Sequence, residues 1–164
     1  MYQASNLLLV QRFHYSAAKL GLYSAYLAAV FSLFLLVILR FILRFVSTIN
    51  TARIGIFLLA AGLLCFIFSV NSQIIVWLSI IPSAAGMALS YNTLMALFSD
   101  AVNDDEQGKV MGVMIGFMAI AWLLGGLLTG LLAANSYVWT FLLQAFGAFF
   151  GFIFLLIYRV KNEY

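Results

Sequence analysis

Charge is what this sequence lacks most. Only 8% of its 164 residues are charged and 66% are hydrophobic, with a mean hydropathy of +1.13. A soluble globular chain is about 25% charged and about 45–50% apolar. Too few polar groups remain here to cover a water-facing surface, so the composition describes an integral membrane protein. Apolar/polar alternation along short strands is also missing, which excludes a transmembrane barrel and leaves helices. The single cysteine, Cys65, cannot form an intramolecular disulfide and reads as core or lipid-facing filler. Histidine occurs once, as His14, and no metal-ligand cluster or phosphate-binding glycine loop accompanies it. No cofactor, metal or enzymatic activity is therefore expected. The net charge of +3 and pI of about 9.2 would suggest nucleic acid in a soluble domain. In a membrane protein they report cytoplasmic loops instead, and no nucleic-acid partner is expected. The N-terminus MYQASNLLLVQRFHYS has no basic start before its short apolar stretch and is not a signal peptide.

What is present in quantity is uncharged length. A spanning helix takes about 20 apolar residues, and three charge-free stretches qualify: Leu20–Leu39, Ile54–Ser99 and Val110–Tyr158. The first is one crossing. The second holds two, broken at Asn71-Ser72-Gln73. The third also holds two, broken at Ala133-Ala134-Asn135-Ser136. This predicts helices over about 18–46, 54–70, 74–99, 105–133 and 137–159, preceded by residues 1–17, an outer segment carrying the end of a further helix. Arg40, Arg44, Arg53, Lys109, Arg159 and Lys161 collect on one side, against Arg12 and Lys19 on the other. The positive-inside rule places the first side, and the C-terminus, in the cytoplasm.

Four of the five acids, Asp100, Asp104, Asp105 and Glu106, crowd into SDAVNDDEQGKVMG. There Asn103 is a good N-cap type, with Glu106 three positions on at capping-box spacing. The acids favour a helix N-terminus, each contributing a few tenths to about 1 kcal/mol against the dipole. Gly108, Gly112 and Gly116 follow at four-residue intervals, and Gly126 and Gly130 repeat the spacing. Small residues so placed let helices approach closely in lipid. They are read as packing surfaces, or as faces on which helices rock.

The run IIPSAAGMALSYNTLMALFSDAVNDDEQGKVMGVMIGFMAIAWLLGGLLTGLL resembles the tenth and eleventh helices of the major facilitator superfamily, in particular drug/proton antiporters of the tetracycline-efflux type. The matching pieces are Pro82 and Gly86, the helix end LMALFSDAV, the turn DEQGKVMG and the glycines deep in the next helix. RFHYSAAKLGLYSAY is similar to the loop between the seventh and eighth helices. The resemblance implies an all-α membrane protein of five transmembrane helices, the C-terminal half of a twelve-helix transporter, lacking its N-terminal six helices and most of the seventh. In the loop RFILRFVSTINTAR the acid and glycine of the family pattern are absent. Gly125-Gly126 also stands where a Gly-Pro pair is common.

By this resemblance the eighth, tenth and eleventh helices face a central cavity. Its candidate substrate contacts are Tyr23, Tyr26, Ser32, Tyr91, Asn92, Met118 and Trp122. Each of these also has a plainer reading, as packing or an interface aromatic, and Asn92 as a bond between helices. Asp100 is a candidate latch to Arg44 or Arg53, or a solvated loop acid. Pro82 frees the carbonyl of Leu78 and is expected to kink its helix. No ionisable group lies deep in any predicted helix, and the resemblance implies that the proton-carrying acids lie in the missing N-terminal half. The expected function is half of a proton-coupled exporter of small amphipathic compounds, sited in a bacterial inner membrane. Its partners would be lipid, the N-terminal half or another membrane protein, and substrate. The alternatives are a non-transporting membrane scaffold and an inert remnant of a broken transporter gene.

Overall fold

The computed structural model describes residues 2–133 and 136–157, and these are helical almost throughout. The chain is an all-α membrane protein with five helices long and apolar enough to cross a bilayer. A short helix α1 (Tyr2–Gln11) comes first. The first crossing, Ala17–Ile42, is built from α2 (Ala17–Leu33), a π-helical turn (Phe34–Ile38) and α3 (Leu39–Ile42). Then come α4 (Thr48–Phe68), α5 (Gln73–Asp100), α6 (Asp104–Ala133) and α7 (Tyr137–Ile157).

The breaks follow local chemistry. Ser16 caps α2, its hydroxyl accepting from the Lys19 amide at 3.4 Å. His14, in the preceding turn, has a φ of 50°. A 3-10 turn (Ser69–Asn71) closes α4 where the expected polar triplet begins. The expected capping box before α6 does not form. Asn103 contributes its backbone carbonyl, which accepts from the Glu106 amide at 2.9 Å, while Gln107 donates to Asp104 at 3.1 Å. Two boundaries also shift. The first crossing stops at Ile42, not 46, and α4 starts at Thr48, not 54. Arg53 is tolerated inside α4 because it lies near the helix end and its guanidinium is bonded: Nε donates to the Leu155 carbonyl at 3.0 Å and Nη1 to Asn50 at 2.9 Å. The expected end of the last helix at 159, and Arg159 and Lys161, lie outside the described residues.

The centre of the fold is the antiparallel pair α4–α5. Ala52, Gly55, Gly62 and Phe66 on α4 oppose Ser79, Ser83, Gly86, Ser90 and Thr93 on α5, and all are buried. Spacings alternate between three, four and seven, the period of a left-handed supercoil. A methyl at Gly55 would fall 2.5 Å from the Ser90 amide nitrogen, and one at Gly86 would fall 2.6 Å from the Gly55 carbonyl oxygen. The backbones therefore touch, and dispersion between them replaces the hydrophobic drive that lipid removes. The α5 hydroxyls do not cross the interface. Ser79, Ser83, Ser90 and Thr93 each donate to the carbonyl four residues back, at 2.6–2.8 Å. They are thereby satisfied without water. Through Pro82 the α5 helix continues unbroken.

Helix α7 lies on the other side of α4. Phe141 stacks on Phe66 with centroids 5.1 Å apart, and Phe152 meets Phe57 at 5.9 Å. Helix α2 leans on α5 through Tyr23. Helix α6 is held least. Only Thr129 and Ala133, at its far end, are buried, and no residue of its most apolar window is.

Candidate functional site

Two regions of the bundle carry polar chemistry, one at each end. At the end bearing Arg12 and Lys19 the helices are cross-linked. Trp77 Nε1 donates to the Tyr15 hydroxyl at 3.1 Å, and that hydroxyl donates to Gln73 at 3.3 Å. Arg12 donates to Asn71 at 3.2 Å, and the Lys19 ammonium stands 5.6 Å over the Tyr15 ring. The Tyr137 hydroxyl donates to the side-chain carbonyl of Gln11. The α1–α2 loop is thus tied to the α4–α5 turn, and α1 to α7. Aromatic and polar side chains of this kind mark a membrane–water interface. The sequence reading passed over this group, although Tyr15, Gln73 and Trp77 all flank predicted span ends.

At the opposite end α5 and α6 diverge from their connecting turn. Between them lies a cleft of about 660 Å³ lined by Phe98, Glu106, Lys109, Val110, Val113, Met114, Phe117 and Met118. All but Phe98 come from one stripe of α6. The cleft is apolar along its length, with the carboxylate and ammonium at its mouth, and its volume falls in the range that holds a drug-sized ligand. Two methionines and two phenylalanines make an adaptable wall.

The seven expected substrate contacts do not converge on one cavity. Tyr23 is fully buried and meets Trp77 edge-on at 5.5 Å, while Tyr26 tilts against the same ring at 5.3 Å. Met118 alone of the seven lines the α5–α6 cleft. Ser32 is exposed just before the π turn, Tyr91 is exposed on α5, and Trp122 is 72% exposed on α6. Asn92 is half-buried and donates to the Ala88 carbonyl of its own helix at 2.8 Å, so its amide makes no bond between helices.

The latch expected at Asp100 is not formed. Neither Arg44 nor Arg53 makes an ion pair with it, because Arg53 reaches across to the end of α7 and Asp100 is exposed. The glycines expected to pack α6 also stand elsewhere than supposed. Gly108, Gly112, Gly116 and Gly130 have nothing within 4 Å of an added methyl, and Gly126 meets only the Gln3 side chain, at 3.2 Å. Close packing falls instead to Gly55, Gly62 and Gly86, because α6 splays from the bundle while α4 and α5 zip together. Four buried polar atoms find no hydrogen-bond partner among the described residues: Asn6 Oδ1, Tyr23 Oη, Thr140 Oγ1 and Gln144 Oε1.

The sequence matches the Major Facilitator Superfamily over residues 2–163, nearly its whole length. The chain belongs to that superfamily. Searches of curated proteins and of solved structures returned no match. Membership makes this superfamily chain a multi-pass membrane protein of the secondary-transport class.

Proposed function

We propose that this chain forms the C-terminal half of a proton-coupled transporter that exports small amphipathic compounds, and that it moves substrate only when joined to a complementary six-helix half. The observation that carries the reading is the α5–α6 cleft on a helix whose apolar window is wholly uncovered. A cavity wall has this character: apolar, methionine-containing and unpacked on its own side. The described charged side chains lie at or near helix ends or in turns, and on this reading the coupling acids belong to the other half. The membrane is a bacterial inner membrane, with Arg40, Arg44, Arg53 and Lys109 at the cytoplasmic end. Arg44 remains the partner for Asp100 when that end closes.

The test is efflux of ethidium from proteoliposomes under an imposed pH gradient. The chain joined to a complementary half is expected to move dye and to stop when a protonophore collapses the gradient. The chain alone is expected to move none. No efflux by the joined form sinks the reading. A second reading, a membrane scaffold, is favoured by the open glycine face at Gly108, Gly112 and Gly116. It expects stable capture of another helix there with no dye movement under any condition.

A further inference from the structure

Along the α5–α6 cleft the chemistry comes in a fixed order. From Val110 to Met118 the stripe of α6 that lines it is apolar, and Phe98 joins from α5. Lys109 stands at the outer end of that apolar stripe, and Glu106 one turn further out on the same side of the helix. Both are exposed, and among the described residues neither side chain holds an ion pair or a hydrogen bond. Asp104, beside them, is taken by Gln107 at 3.1 Å. A free ammonium and a free carboxylate thus stand in line at the mouth of an apolar channel of about 660 Å³.

The length of the cleft matches one leaflet of a bilayer. At 1.5 Å per residue, the distance along α6 from Glu106 to Met118 is roughly 18 Å. Half of a hydrocarbon core about 30 Å thick is about 15 Å. The cleft therefore runs from head-group level to about the middle of the membrane, the depth that one acyl chain fills. The charges select among head groups. Helices α5 and α6 carry the acids Asp100, Asp104, Asp105 and Glu106 against one base, Lys109. An anionic head group meets repulsion there. A zwitterionic head carries its phosphate next to the chains and its ammonium outermost, so it meets Lys109 first and Glu106 next. A primary ammonium also donates hydrogen bonds to the carboxylate, which a quaternary one cannot.

We propose that the α5–α6 cleft is a binding site for an aminophospholipid of the phosphatidylethanolamine type. One acyl chain lies along Val110–Met118, the phosphate meets Lys109 and the primary ammonium meets Glu106. The proposal goes beyond the transporter reading and shares only its cleft: an exported amphiphile has to displace this lipid, but holding the lipid requires no transport.

The test counts bound lipid on the full chain by native mass spectrometry. The protein in detergent is titrated with phosphatidylethanolamine, phosphatidylcholine and phosphatidylglycerol of identical acyl chains. The first phosphatidylethanolamine is expected to bind roughly three- to tenfold tighter than either of the others, the scale of charged contacts at an exposed site. Lys109→Gln and Glu106→Gln are each expected to remove that preference. The double variant Glu106→Lys/Lys109→Glu keeps both charges and reverses their order, and it is expected to remove the preference too. Val113→Trp fills the cleft from a position 52% exposed and touches neither charge. It is expected to weaken phosphatidylethanolamine binding by a similar factor. All these positions are exposed, so the thermal midpoints are expected to stay at the parent value. Equal binding of the three lipids overturns the proposal, as does tightest binding of phosphatidylglycerol. A preference that survives the charge reversal, or an affinity that Val113→Trp leaves unchanged, overturns it as well. Because binding is read on the chain alone and without transport, failure of ethidium efflux by the joined form and failure of this lipid preference are separate results.

Discussion

Gly86 lies against the backbone of Leu59, and a methyl there would fall 2.6 Å from the Gly55 carbonyl oxygen. Backbone cannot swing aside as a flexible side chain can. Gly86→Ala is therefore expected to force α4 and α5 apart at a cost on the order of 1–3 kcal/mol, read as a lower thermal midpoint in detergent. Gly112→Ala meets open space and is expected to leave the midpoint of this chain unchanged. Equal effects from the two substitutions would show that the α4–α5 contact is not the tight one. Here the sequence misled in an instructive way. The even four-residue run Gly108–Gly112–Gly116 looks like a packing face, and it is a smooth one. Smoothness is a property of one helix, whereas packing needs a neighbour. The glycines that do pack, Gly55, Gly62 and Gly86, are mixed with serine and threonine at three-and-four spacing, so no repeated glycine advertises them.

At the scale of elements, hydropathy made the spans legible and left their ends uncertain. An apolar run says how many residues cross the bilayer, but a terminus depends on single polar bonds. Thr48–Ala52 joined α4 because Arg53 can sit within a helix when the Leu155 carbonyl and Asn50 accept its donors. Arg53→Gln is expected to weaken the α4–α7 junction. The check is faster amide hydrogen exchange over the end of α7 near Leu155, with exchange of the α4–α5 pair unchanged. The tie between Tyr15 and Trp77 belongs to the same scale. Tyr15→Phe removes the hydroxyl that accepts from Trp77 Nε1 and donates to Gln73. A double-mutant cycle with Gln73→Ala is expected to give a coupling of about 0.5–1.5 kcal/mol, the worth of a neutral hydrogen bond. A coupling of zero means that the α1–α2 loop is not held to α5 through this bond. None of these long-range bonds could be read from the sequence, because the loop and the α5 start are some sixty positions apart and only folding brings them together.

For the whole molecule, the order of pieces was more legible than their contacts. The five crossings followed from where charge and apolar length fall along the chain, and the superfamily from the resemblance carried by Pro82, Gly86, LMALFSDAV and DEQGKVMG. The arrangement of candidate substrate residues did not, since lipid and a protein interior are both apolar and an exposed Trp122 looks the same in sequence as a buried one. Exposure supplies the decisive measurement. Trp122 is 72% exposed on a helix with no buried apolar window, whereas Trp77 is sheltered by Tyr23 and Tyr26. In bilayers of brominated lipid, a variant keeping only Trp122 is expected to be strongly quenched when the chain stands alone. A variant keeping only Trp77 is expected to be quenched weakly. If α6 is a cavity wall closed by a complementary half, joining that half shields Trp122 from lipid and leaves Trp77 as it was. Shielding that instead grows with the concentration of this chain alone would assign the α6 face to self-association, and quenching that never changes would leave α6 a lipid-facing helix and remove the cleft from the transport path.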